Sequence, residues 1–197
     1  MACASPQHAA VSACTVVLGL GNPVRCDDGV GIAVAEAVQQ LLIDNPLAGV
    51  RVATSARGGF EVIDLLQGCQ RAVIIDCLDV PHPRPGRVRR LALDQVAGAP
   101  RLIDAHGLSL PLVFRLAAGL GIAMPSQVEI LGVEAADTLT LGETLTPAVL
   151  AAVAPLARRI LVRLALWGLA VRGGRARIEP SIGDFATRLQ RPFTGQT

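Results

Sequence analysis

Residues 71–79 read RAVIIDCLD, and this run limits the fold more than any other stretch of the chain. Ala72 to Ile75 are all apolar and mostly β-branched, with no polar residue to face solvent. Such a strand is buried on both sides, which happens when helices cover both faces of a parallel sheet. The remaining sequence supplies the matching parts. TVVLGLG (Thr15–Gly21) is a short apolar run ended by glycines, and VRVAT (Val50–Thr54) and QVEILGVE (Gln127–Glu134) read as further strands. RVRRLAL (Arg87–Leu93) alternates charged and apolar residues, as an edge strand does. Between these, the segment from Asp28 carries Val30, Val34, Val38, Leu41 and Leu42 on one helical stripe, with an aspartate available as N-cap. GFEVIDLLQG is a short helix ended by Gly68. A further helix starts near Ser109, with Pro111 in its first turn. The long last helix opens with Thr146 as cap and Pro147 at its first position. Strand and helix alternate with no internal repeat. The pattern predicts an α/β fold: a single doubly wound domain whose twisted, mostly parallel sheet of about five strands is flanked by helices on both faces. That domain is expected over residues 15–171, after a loose extension (1–14) and before a basic, patternless tail (172–197).

Composition narrows the partners. Half of the 197 residues are apolar, enough for one full core. The basic residues are all arginine, and a net charge of +2 is too small to argue for nucleic acid. No window reaches the roughly 18 uninterrupted apolar residues of a membrane span; Arg163 breaks the nearest one. The cysteines at 3, 14, 26, 69 and 77 form no CxxC pair, and their odd number and wide spacing predict reduced thiols. With no signal-peptide start, the expected location is cytoplasmic.

In a doubly wound sheet, sites lie beyond the C-terminal ends of the strands. The first strand runs into GLGNPVRCDDGVG, the third ends at Asp76, and the connection before the helix at Ser109 carries Asp104 and His106. A nucleotide reading of the glycine-rich turn fails. Val24 stands where G-x-G-x-x-G needs its third glycine, no acidic residue ends the second strand, and a chain without lysine has no P-loop. Asp28, Asp76 and His106 instead make a set of two carboxylates and one imidazole. That set suits a borderline divalent ion such as nickel or zinc with an open position. Each also has a plainer reading. Asp28 or its neighbour Asp27 can be a helix cap, Asp76 can cap a loop, and His106 can be a solvent-facing loop residue. His8 and His82 are weaker candidates, and Cys77 reads as a small buried hydrophobe.

The four stretches VLGLGNPVRCDDGVG, VIIDCLDV, DAHGLSL and ILGVEAADTLTLGETLTPAV, in this order, resemble the hydrogenase maturation endopeptidases. The likeness runs from about Thr15 to Leu169. It implies an endopeptidase that removes the C-terminal extension from a [NiFe] hydrogenase large-subunit precursor already loaded with nickel. The family's three metal-binding positions fall on Asp28, Asp76 and His106, which would also carry the metal-mediated catalysis. Gly21, Asn22 and Asp27 would meet the substrate, with Asp27→Ala expected to matter less than the other substitutions. Nickel would arrive with the precursor, and zinc or cadmium fit the same ligands. The Pro81–Pro85 loop and the tail have no counterpart in the resemblance. Two alternatives remain beside it. A non-catalytic nickel-sensing carrier or docking protein would keep the same ligands. A peptidyl-tRNA hydrolase shares GLGNP, but the Tyr and the His that follow it there are absent here.

Overall fold

The computed structural model describes residues 14–96 and 109–171. His106, Asp104, Cys3, His8, nearly all of the expected N-terminal extension and the whole of the expected tail lie outside the described residues. The chain runs β1 (Thr15–Leu20), α1 (Val30–Asp44), β2 (Val50–Ser55), α2 (Glu61–Leu66), β3 (Arg71–Leu78), β4 (Val88–Leu91), α3 (Leu93–Val96), α4 (Leu110–Gly119), β5 (Gln127–Glu134) and α5 (Pro147–Val171). The sheet order is β2-β1-β3-β5-β4, all parallel except β4, which pairs antiparallel with β5 at the edge. The α/β reading therefore holds, with RVRRLAL supplying the edge strand.

Two cores account for the central apolar runs. Val16, Leu18, Leu20, Ala72, Ile74 and Leu78 meet Val62, Leu66, Val113 and Ala117 from α2 and α4. Val17, Val73, Ile75, Cys77, Leu131 and Val133 meet Val30, Val34, Ile160 and Leu164 from α1 and α5. Odd and even positions of β3 thus serve opposite layers, as the two-residue strand period requires. With both layers present, no polar residue is needed between Ala72 and Ile75.

Four local expectations are corrected. The third strand does not end at Asp76 but continues to Leu78, because β5 pairs with it as far as Leu78↔Glu134. The N-cap of α1 is Gly29, and both aspartates lie in a short 3-10 turn before it. Thr146 stands just before α5 as read, its carbonyl accepting the Leu150 N–H at 2.9 Å, but its hydroxyl donates to Asp27, at 2.9 Å, instead of to the helix. Finally, Cys14 and Cys69 are joined as a disulfide, contrary to the reduced reading. They are 55 residues apart in sequence, but Cys14 precedes β1, Cys69 lies two residues before β3, and these strands are neighbours. Their Cα atoms are 4.6 Å apart, and the N–H groups of Gln70 and Arg71 donate to the Cys14 carbonyl at 2.9 and 3.3 Å. Sequence spacing carries no sign of that adjacency.

Candidate functional site

The site begins where β1 stops. The last β1–β3 pair is Gly19↔Ile75, so Asp76 stands one position past the reach of β1 while still paired with Gly132 on β5. The chain leaving β1 fills the resulting notch. Gly21 has a φ of +136°, and a Cβ on it would run into the carbonyl oxygen of Asp28. A Cβ on Gly31 would collide with the carbonyl oxygens of both Leu20 and Ile75. Only glycines at these two positions let the start of α1 rest directly on the ends of β1 and β3. The glycines of the motif therefore bring the Asp27–Asp28 turn down onto β3, close to Asp76.

The two adjacent aspartates then take different surroundings. Asp27 is fully buried. One carboxylate oxygen accepts from the backbone N–H groups of Ala136 (2.8 Å) and Asp137 (3.0 Å) and from the Thr146 hydroxyl (2.9 Å). The other accepts from the Thr146 N–H at 2.7 Å. Its own N–H donates to the Asp137 carbonyl at 3.0 Å. Nearby, Cys26 N–H donates to the Gly142 carbonyl (2.7 Å) and Gly142 N–H to the Val24 carbonyl (3.0 Å). The GNPVRCDDG turn and the segment from Ala135 to Thr146 are one tied unit, with Asp27 as its internal clamp. Asn22 accepts the Val24 N–H on its side-chain oxygen at 3.1 Å and shapes the outer part of the turn.

Asp28 and Asp76 are half-buried at the rim. Asp76 shares the strand face of Ile74 and Leu78, the face that α2 and α4 cover, and its carboxylate accepts the Cys77 N–H at 2.7 Å. Burial pushes the Cys77 thiol far above its ordinary range, and the charges of Asp76, Asp28, Asp27 and Asp79 push it further. Four carboxylates thus act on one buried thiol, so this edge of the sheet is a region of negative potential. Such a place favours a cation. The donor chemistry of Asp28 and Asp76 fits a divalent ion. Among the described residues no three His, Cys, Asp or Glu side chains gather closely enough to hold a metal. His106, the third of the expected set, is outside them.

Sequence reasoning passed over Glu134. It ends β5, is fully buried, and accepts from the Arg84 N–H and the Arg89 guanidinium, each at 2.6 Å. Burial works against its charge, but these bonds and the nearby charges of Arg89 and Arg87 hold its carboxyl below the usual carboxylate range. An acidic residue closing the apolar run ILGV, with RVRR on another strand, was the available signal. Among the described residues no helix is long and apolar enough to cross a membrane.

Comparison with known proteins agrees with the geometry. The family model for HycI, hydrogenase maturation protease, matches residues 16–163. A hydrogenase expression/formation protein, HupD of Thiocapsa roseopersicina, is 28% identical over 162 residues, covering 80% of this chain and 70% of the relative. HupD of Bradyrhizobium diazoefficiens is 28% identical over 163 residues, covering 79% and 80%. Among solved structures, the hydrogenase maturating endopeptidase HybD from E. coli superposes with a TM-score of 0.65 at 23% identity, over 79% of this chain and 94% of that one, and shares the fold. The matched span includes both tied loops, the paired aspartates and the β3 carboxylate. The chain belongs to the hydrogenase maturation protease family and is a peptidase, an endopeptidase of hydrogenase maturation.

Proposed function

We propose that this chain removes the C-terminal extension of a [NiFe] hydrogenase large-subunit precursor once that precursor holds nickel. Asp28, Asp76 and His106 meet the incoming metal and carry the cleavage. The observation that carries this reading is the direct contact of the α1 start with the ends of β1 and β3. This supports reading Asp28 with Asp76, whose charges both act on Cys77. The position of Asp76 on the face covered by α4, whose first residue follows His106 by four in sequence, supports counting His106 with them.

Nickel is here part of the substrate, and at this edge it supplies Lewis acidity toward a scissile carbonyl. The residues of the chain do the rest. Asp28 and Asp76 attract and orient the loaded segment, and the Asp27 clamp holds the turn bearing Asp28 in place. Gly21 and Asn22 form the outer turn that the substrate passes. Zinc or cadmium fit the same oxygen and nitrogen donors and would occupy the site as competitors.

The test is to incubate the purified chain with nickel-loaded and nickel-free precursor and weigh the products. Loss of a short C-terminal peptide from the loaded form alone is expected. Equal cutting of both forms would refute nickel sensing. Binding without any cutting would favour the carrier reading.

A further inference from the structure

The loop VPHPRPG, at residues 80–86, gives the core only Val80, yet buried polar groups fix its shape. Residues 81–85 are all exposed. Three groups of Glu134 hold the loop. Its carboxylate accepts the Arg84 N–H (2.6 Å), its carbonyl accepts the Gly86 N–H (2.9 Å), and its N–H donates to the Arg87 carbonyl (2.9 Å). A Cβ on Gly86, at φ +81°, would meet the Ala148 carbonyl at 2.5 Å, so the loop also rests against the first turn of α5. Three prolines remove most of the remaining freedom. At the tip, His82 has a φ of 53°, a conformation that glycine would adopt at lower cost.

Charge and position say what this rigid crest meets. The crest has no acidic side chain, and among the described residues the Arg84 guanidinium has no partner. Arg87 and Arg89 already offset the charge of Glu134, which meets Arg84 only through its backbone N–H. The loop leaves the same strand end as the candidate site. Pro81 is five residues beyond Asp76, a reach of at most about 18 Å. The sheet edge is therefore bipolar, with an acidic centre at Asp28 and Asp76 and a basic, preformed crest beside it.

We infer that His82 and Arg84 are specificity-determining residues that dock an acidic segment of the protein substrate next to the cleavage site, with Glu134 as the positioning residue that fixes the crest. The inference rests on the precursor-processing reading above. The acidic centre selects the bound cation, and the crest selects the polypeptide that brings it. Arg84 suits a direct test because Glu134 grips its backbone N–H, so changing its side chain leaves the clamp in place.

The experiment measures KM and kcat for the nickel-loaded large-subunit precursor, together with its Kd, at low and high salt. The proteins are the native chain, Arg84→Glu, His82→Gly, Glu134→Gln and the control Arg159→Glu on the exposed side of α5. Arg84→Glu is expected to raise KM and Kd about fivefold with kcat unchanged, and to flatten their rise with salt. His82→Gly should raise KM while also raising Tm, because the strain at the tip is relieved. Glu134→Gln should raise KM more than it lowers kcat. Arg159→Glu should match the native chain. Arg84→Glu within twofold of native in KM, Kd and salt slope would overturn the inference, as would an equal loss from Arg159→Glu. Should the native chain bind the precursor without cutting it, the processing reading fails and the Kd series still decides the role of the crest. A native chain that neither binds nor cuts refutes both.

Discussion

The two ends of the sheet are held by different means. At the N-terminal end, β1 and β3 are joined through the Cys14–Cys69 disulfide, and Trp167 of α5 lies under the guanidinium groups of Arg71 and Arg163, 5.6 and 5.1 Å from the ring centre. Arg71 also donates to the Trp167 carbonyl at 3.1 Å. At the C-terminal end, the buried carboxylate of Asp27 gathers three backbone N–H groups, and that of Glu134 takes the Arg84 N–H and the Arg89 guanidinium. The first end closes the fold with a covalent link and ring packing. The second shapes largely exposed loops, which bury only a few apolar groups such as Val80 and Leu145 and are fixed mainly by charged, multiply bonded ones. The contrast separates the end that stabilises the chain from the end that carries the proposed site.

Substitutions at the two ends should therefore fail in different ways. The largest effect is expected for Asp28→Ala and Asp76→Ala, each lowering precursor processing by at least about a thousandfold with Tm nearly unchanged. His106→Ala belongs with them, and a normally active variant of any of the three would dissolve the proposed set. Asp27→Ala comes next. It strands buried donors and should cost on the order of 4 kcal/mol in urea unfolding, losing activity through the fold. Asp27 thus still matters less than the other three, but through the fold, and a stable but inactive Asp27→Ala would show that it acts on substrate instead. Cys69→Ala should cost about 3 kcal/mol by opening a long loop constraint, while kcat and KM measured well below Tm stay native. Loss of activity there would erase the division between the ends. Trp167→Leu is smaller, about 1 kcal/mol, again without kinetic effect.

The smallest effect is a pH dependence at the C-terminal end of the sheet. The Glu134 carboxyl is held below its ordinary value of 4.5, so its contribution is complete above that pH and lost as pH falls through the depressed folded value. The Tm gap between the native chain and Glu134→Gln should stay constant near neutrality and close in acid. A gap that widened on acidification would contradict the clamp.

The strand-end position of Asp28 and Asp76 was legible in the sequence, and the reason is geometric. The apolar runs break at Asp76 and before Asp28, so both could be assigned to one edge from local pattern, although β3 itself continues to Leu78. The division of roles between Asp27 and Asp28 was not legible. Neighbours in a 3-10 turn point about 120° apart, and which of them turns inward depends on Ala136, Asp137 and Thr146, more than 100 residues later. Glu134 was hidden for a similar reason, since its meaning lies in the Arg84 N–H and the Arg89 guanidinium, which reach it across the β4–β5 edge.

By itself the sequence determined the alternation of strands and helices, the burial of β3 between two layers, and the edge at which polar residues gather. These follow from periodicity, which acts over a few residues. Only the tertiary structure decided that Cys14 pairs with Cys69, that Asp27 is a clamp beside a half-buried Asp28, and that Glu134 fixes a basic crest. Each of those depends on which distant segments become neighbours, and strand order, not spacing along the chain, sets that.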